Sequence, residues 1–436
     1  MISIELDMIQ TAGIGALALI VGMFLTRKDD ILQKFCVPSP VTGGLIFSVI
    51  TLILYGWFDI EVSFNDTLKN IFMLAFFTCV GFECDLKVLK QGGRILVIML
   101  VLLVVIIAMQ NVIPLGITRI LGVDPLVGMA AGSVSMTGGH GTVGGFTSVL
   151  QGMGLTGAGT IGMAAATFGL IAGSMIGGPL AERIIRTKLT QEQMQPQDDE
   201  IDPAMAGIES DEASPTGRTK RMSTNEQEFQ QYAKATYCIL MVMGGGTLLS
   251  WLLAKTGITF PTYFGALILA AIVRNTLGFI SYKADDGENP SLDGEKKTSV
   301  KWQKADKLLD MERIISVGNI CLSLFLGMAM ISLKLWELQN LALPLVLILV
   351  SQVLMMALFA YFVAFPLLGR DYDAAVLCAG MCGFGLGATP NAMANMSAVC
   401  YKYRYTVKPF LIVPIIGAMF ADLINTGIIS LFLNVI

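Results

Sequence analysis

Uncharged runs of mainly apolar residues, each near twenty long, recur along the whole chain and set its architecture. A helix crossing the hydrocarbon layer needs about 20 such residues, with tilt widening the range. That rule predicts ten spans, at about 8–25, 41–58, 67–84, 95–117, 158–181, 235–254, 261–280, 312–333, 342–367 and 409–433. Two further uncharged stretches, 125–157 and 374–401, are too rich in glycine and small residues to be ordinary spans. Irregular backbone survives at membrane depth only where protein encloses it or it lines a wet cavity, because lipid cannot satisfy its amides. Both stretches are therefore predicted to be re-entrant hairpins, and the fold class is all-α integral membrane.

Lysine and arginine positions set the orientation. With the N-terminus outside, the inner segments hold 25 of the 29 basic residues, and only Lys69, Arg119, Lys255 and Lys334 lie outside. That asymmetry is a positive-inside signal and predicts that both termini are periplasmic. The first ten residues carry Glu5 and Asp7 but no basic residue, so the first helix is expected to stay rather than be cleaved as a signal peptide.

Polar composition divides the chain into three parts: a first membrane repeat over 1–181, a cytoplasmic linker over 182–233, and a second membrane repeat over 234–436. The linker has too few apolar residues to bury a core. A shorter cytoplasmic loop is expected over 281–310. Short matches recur in the same order in both halves. LGVD at 121–124 returns as LGRD at 368–371, and GGHGT at 138–142 aligns with GLGAT at 385–389, both at a separation of 247. Asn70 and Ile71 align with Asn319 and Ile320, and Phe76 with Phe325; PVTGGLI at 40–46 aligns with PTYFGALI at 261–268 after one insertion. Five spans per half is an odd number, so the second half enters with opposite polarity. Inverted repeats with broken helices at the midplane are a signature of secondary transporters.

Composition narrows the function classes further. Only 14% of residues are charged and 54% are hydrophobic, against about 25% charged in a soluble chain. A net charge of -4 leaves no basic face for nucleic acid. The eight cysteines, Cys36, Cys79, Cys84, Cys238, Cys321, Cys378, Cys382 and Cys400, lack the spacing of a zinc site or disulfide framework and read as small reduced residues. His140 is the single histidine, so multi-histidine metal sites and histidine pairs are excluded, and no enzyme is predicted.

The glycine stretches carry the candidate chemistry. In the first, GSVSMTGGHGTVGGF at 132–146, glycines allow sharp turns and bare the backbone N–H groups, and the half-helix that follows offers a partial positive charge, a combination that suits a carboxylate. The string at 139–144 fits GxGxxG, but no acidic residue lies between Asp124 and Glu182, so a dinucleotide site is rejected; a P-loop fails for want of its Gly-Lys-Ser/Thr ending. The glycines at 173–178 read as helix packing. In the second stretch, Pro390 can open a half-helix, and Asn391 and Asn395 share a face from which they can hold a ligand or an ion. Asp422 is an acid well inside the last span, which is costly without a partner; an ion or an ammonium group, or a packing hydrogen bond, would satisfy it. His140 either binds substrate or titrates, or it holds its loop as a neutral ring. Glu83 and Asp85, near Lys87 and Lys90, read as a solvated helix end.

Together the GGHGT motif at 138–142, CGFGLGATP at 382–390, VPSPVTGGL at 37–45 and the segment 70–77 resemble the bacterial sodium/glutamate symporter family. The resemblance spans almost all of the membrane part. It implies sodium-coupled uptake of glutamate across the bacterial inner membrane by alternating access, through two inverted five-span halves whose re-entrant loops meet near the membrane centre. It also implies a homodimer in the lipid bilayer, one part of each protomer sliding against a fixed scaffold. The chain departs from the family's usual pattern at Asn391, where threonine is commoner, at 143–146, and in its longer linker. On this basis the expected substrate site is Thr137, Gly138, Gly139, His140, Gly141, Thr142, Gly385, Gly387, Ala388, Thr389 and Asn391, and the expected sodium ligands are Ser135, Asn395 and Asp422, with the hydroxyls of Thr137 and Thr389 as further candidates. Sodium is the coupling ion and no other cofactor is expected. The alternative is a sodium- or proton-coupled carrier of another carboxylate.

Overall fold

In the computed structural model, residues 2–35, 37–86, 93–189, 221–257, 259–285 and 309–436 are described. Most of the linker expected at 182–233, most of the loop expected at 281–310, and Cys36, Lys87 and Lys90 lie outside them. The chain is an all-helical membrane protein. Among the described residues seven helices are long and apolar enough to cross a membrane, and the bent pair Lys408–Gly417 and Ala421–Leu433 makes an eighth if it is one span.

The helices fall on the apolar runs of the sequence. The first half comprises α1 (Met8–Lys28), a short α2 (Asp30–Lys34), α3 (Ser39–Phe58), α4 (Thr67–Glu83), α5 (Gly93–Leu121), α6 (Pro125–Ala130), α7 (Gly139–Gly152) and α8 (Ala158–Lys188). After the linker come α9 (Arg221–Ala254), α10 (Phe264–Asp285) and α11 (Met311–Ile331), a 3₁₀ turn over Leu335–Leu341, and α12 (Ala342–Phe359), which continues through a π segment to Leu367. The chain ends with α13 (Tyr372–Leu386), α14 (Thr389–Lys402), α15 (Lys408–Pro414), a π segment over Ile415–Phe420, and α16 (Ala421–Leu433). Local chemistry sets several boundaries. Asp7 and Gln10 form a reciprocal capping box at the start of α1, and Asp124, Asp310 and Asp371 cap α6, α11 and α13 through their side chains. Pro114 and Pro179 lie inside long apolar helices, where membrane surroundings tolerate them.

Two strands depart from the purely helical expectation. β1 (Ile2–Leu6) and β2 (Ile60–Phe64) form a parallel pair in which Ile4 faces Val62, fastening the N-terminus beside the end of α3. A second difference concerns the end of α4. Asp85 is not a solvated helix end, because it pairs with Arg274 at 3.4 Å with both side chains about 15% exposed. Asn275 completes the clamp, donating to the Cys84 carbonyl at 2.8 Å and accepting from the Leu86 N–H at 2.9 Å. Of the seven cysteines described, all are free thiols, and Cys238 alone is less than fully buried.

Candidate functional site

Both glycine stretches fold as broken helix pairs, and their breaks come together. In the first, α6 ends at Ala130, the chain turns through 131–138, and α7 begins at Gly139. Gly139 has φ +59°, a conformation that demands glycine, and a Cβ there would lie 3.2 Å from the Gly387 carbonyl oxygen. In the second, α13 ends at Leu386, the chain turns at Gly387, Ala388 is extended, and α14 opens with Pro390 in its first turn. Neither α7 nor α14 has a side-chain cap on its first N–H groups. Two uncapped half-helix starts therefore flank one point from different sides.

That point is a cavity of about 180 Å³ lined by Thr137, Gly138, Gly139, His140, Gly141, Thr142, Gly387, Ala388, Thr389 and Asp422, with Phe76, Phe77 and Phe384 among its apolar walls. Typical drug-sized pockets run from about 300 to 1,000 Å³, so this one fits a single small organic acid. Asp422 reaches it because the helix after Pro414 widens into the π segment, which also brings Gly417 against Thr389; a Cβ at Gly417 would sit 2.6 Å from the Thr389 hydroxyl. Thr142 donates to Asp422 Oδ1 at 3.4 Å. His140 is buried, and its Nε2 lies 3.0 Å from the Thr167 hydroxyl, whose own hydrogen goes to the Met163 carbonyl. Nε2 must then be the donor, which in the neutral ring leaves Nδ1 as an acceptor.

Four residues expected at the site do not line the cavity. Asn391 is fully buried and spends its amide on the Leu170 carbonyl and the Ser174 hydroxyl, both at 2.8 Å. Asn395 donates to the Gly173 carbonyl at 2.9 Å. The shared face inferred from their spacing is real, but it is turned toward α8, where Gly177 leaves the room that Asn395 fills. Gly178 has open space instead, so packing accounts for only part of the 173–178 glycine run. Ser135 donates to the Gly132 carbonyl at 3.3 Å, inside the turn. Gly385 offers its carbonyl to another partner, described next.

Gln110, in the middle of α5, joins the two broken pairs. Its Nε2 donates to the Gly385 carbonyl at 2.5 Å and its Oε1 accepts from Thr137 at 2.6 Å, while Gln352 of α12 holds the Gln110 carbonyl at 2.9 Å. Beside it, Asn111 accepts from both the N–H and the hydroxyl of Ser133. In the sequence this pair lies inside the apolar span at 95–117. Adjacent amides at the centre of such a run are a usable signal, since buried polar groups need partners.

The bracing is crossed. The first turn is held by α16, where Asn425 donates to the Ser133 carbonyl at 3.0 Å, and the second break is held by α8 through Asn391 and Asn395. Lys402, ending α14, adds an ion pair at 2.8 Å with Glu182 of α8, and that hydrogen bond holds the Glu182 carboxyl below its usual range. Aromatic packing fixes the remaining wall: Tyr263 stacks on Phe77 with ring centroids 3.7 Å apart, and Gly145 faces Tyr263 where any side chain would collide.

A second cavity, of about 620 Å³, lies where β2, the start of α4, the far end of α7 and the start of α8 meet the end of α11. Lys69, Lys334, Asp66 and Glu337 line it. Lys334 pairs with Glu61 at 2.7 Å and Lys69 with Asp66 at 2.7 Å. Partial burial raises the Glu337 carboxyl above its usual range, against the opposing pull of Lys334 and Thr160.

The sequence profile described as sodium/glutamate symporter matches residues 4–405. The "Sodium/glutamate symporter" of Escherichia coli (strain K12) is 37% identical over 438 residues, covering 98% of each chain. The protein of the same name from Haemophilus influenzae is 36% identical, covering 98% of this chain and 97% of its own. Among solved structures, a sodium proton antiporter from Methanocaldococcus jannaschii aligns over 98% of this chain and 99% of its own, with 13% identity and a TM-score of 0.39.

Proposed function

The chain belongs to the sodium/glutamate symporter family, and from that premise we propose that it is a secondary transporter that couples uptake of glutamate to sodium entering the cell. The observation that carries this reading is the meeting of two uncapped half-helix starts, with Asp422, around one small cavity. Bare N–H groups at helix starts attract anions, and opposed half-helices are a way of holding a carboxylate without a formal charge. In our reading Gly138–Thr142 and Gly387–Thr389 take the substrate's carboxylates from two sides. His140 adds a polar wall. A cation near Asp422 lowers the cost of placing an anion in a low-dielectric cavity, and a coupling of about 1–3 kcal/mol is typical of linked sites.

The finer architecture belongs to the same proposal. The two broken pairs are read as re-entrant hairpins inside two inverted five-span halves, with 182–233 as a cytoplasmic linker. Ten spans follow if α4 and α10 also cross. α4 has 17 residues and α10 has 22. With both termini periplasmic, the larger cavity opens outside and carries two of the four basic residues on that face, Lys69 and Lys334, a placement that would draw anions toward it. A homodimer in the bacterial inner membrane completes the reading.

Uptake of radiolabelled glutamate into proteoliposomes tests it. Accumulation above equilibrium that requires an inward sodium gradient is expected. Accumulation indifferent to sodium, or driven equally by a proton gradient, would replace the symport reading with the carboxylate-carrier alternative.

A further inference from the structure

Buried amide groups normally satisfy both their donor and acceptor ends. Asn425 satisfies only one: it is fully buried, its Nδ2 donates to the Ser133 carbonyl, and its Oδ1 has no hydrogen-bond partner. A carbonyl oxygen left bare in the interior is costly unless something electropositive occupies its neighbourhood. Asn425 stands three residues after Asp422, so the two side chains share one face of α16. Across from that face lies Gly138. A Cβ built on Gly138 would be 2.6 Å from the Thr142 hydroxyl and 2.7 Å from the Asn425 amide nitrogen, so both groups converge on one point of the first broken pair. Thr142 in turn bonds Asp422 at 3.4 Å. Asn425 and Thr142 thus meet at Gly138, and Thr142 links that point to the formal negative charge of Asp422.

We propose that Asp422, Asn425 and Thr142 form the site of the coupling cation, with the unpartnered Asn425 oxygen as a direct ligand. The inference rests on the sodium-coupled reading above and adds to it a residue and a location. Hard monovalent and divalent cations take oxygen ligands of this kind, a carboxylate, an amide carbonyl and a hydroxyl, in preference to nitrogen or sulfur. The location explains coupling. Thr142 belongs to the half-helix whose start faces the substrate cavity, while Asp422 and Asn425 belong to α16, so a bound cation ties that half-helix to α16 and fixes the amides that receive the anion. Ser135 and Asn395 do not line the small cavity and are not part of this proposal.

The test measures the sodium concentration giving half-maximal uptake, and separately the sodium-induced rise in thermal stability of the purified protein without glutamate. Asn425→Ala is expected to raise the half-saturating sodium about 10–100-fold, the range for losing a group that tunes an ion site, and to abolish the stabilisation by sodium. Asn425→Asp, which keeps an oxygen there, retains sodium-dependent stabilisation. Thr142→Val raises half-saturation by more than Thr142→Ser, which keeps the hydroxyl, and this contrast carries the test if Asn425→Ala does not fold. A merely structural Asn425 would lower maximal rate and expression while sodium half-saturation stayed put, and that result overturns the proposal. So does an Asp422→Asn protein whose glutamate KM rises while its sodium half-saturation is unchanged, since Asp422 would then serve the substrate's ammonium group. If the wild type accumulates glutamate without sodium, the symport reading falls and takes the site with it; if the wild type needs sodium and Asn425→Ala is indifferent, only the site falls.

Discussion

Replacing Gln110 by leucine removes a side chain that bonds to both broken helix pairs while keeping its bulk. The Gly385 carbonyl then loses a 2.5 Å bond and the Thr137 hydroxyl a 2.6 Å bond, both in a fully buried setting. A buried polar group without its partner costs about 1–3 kcal/mol, so two cost about 2–6 kcal/mol. Thr137 already lies 3.4 Å from the Gly385 carbonyl, and turning its hydroxyl there recovers roughly 1 kcal/mol, the net worth of one ordinary hydrogen bond. A net penalty of about 1 kcal/mol at the low end corresponds to a roughly 5-fold loss of apparent glutamate affinity if the whole of it falls on the arrangement that binds substrate. Gln110→Leu and Thr137→Val, singly and combined, should be compared by glutamate KM in proteoliposomes, with thermal unfolding as the check on folding. The double variant should lose less than the sum of the singles, by about 0.5–3 kcal/mol, because the two share a bond. Folded single variants with glutamate KM within twofold of wild type, or strict additivity, would refute the view that Gln110 holds the two halves of the site in register.

Other expectations follow from the same geometry. Gly145→Ala puts a methyl into the Tyr263 ring, which is pinned on Phe77, and should destabilise by about 1–3 kcal/mol; Gly116→Ala, with nothing within 4 Å, should be neutral or stabilising by up to about 1 kcal/mol, both read by thermal unfolding. Glu337 has a raised carboxyl pKa, so its negative charge disappears as pH falls through a window above that of an ordinary glutamate. If the larger cavity is the outer mouth, mild acidification should lower glutamate KM, and Glu337→Gln should remove that part of the pH profile. Asp85→Asn takes the Asp85 carboxylate from the mostly buried Arg274 guanidinium and should lower thermal stability measurably, whereas a solvated Asp85 would give no change.

Apolar periodicity made the helices legible because the bilayer length rule acts on each run separately. α3, α8 and α11 begin within two residues of the predicted spans. The glycine stretches were legible for a related reason, since uncharged but helix-poor sequence has few places to go in a membrane. Ten of the expected residues, from Thr137 to Thr142 and from Gly387 to Thr389 with Asp422, line one cavity. Orientation of side chains was not legible. Asn391 and Asn395 were placed correctly one turn apart, but nothing local says that their common face meets α8 rather than the cavity. The Gln110 and Asn425 contacts span 275 and 292 residues of sequence, and their meaning appears only when distant carbonyls are brought to them. The β1 and β2 pairing is hidden likewise, because each strand is five residues and its partner lies beyond three helices.

The central claim is that backbone N–H groups at two facing half-helix starts hold the substrate's carboxylates. An experimentally determined structure of the protein with glutamate and sodium bound tests it most directly. The account predicts one glutamate between Gly138–Thr142 and Gly387–Thr389, its carboxylate oxygens about 3 Å from main-chain nitrogens. Glutamate bound elsewhere, or held there by charged side chains with those nitrogens turned away, would contradict it.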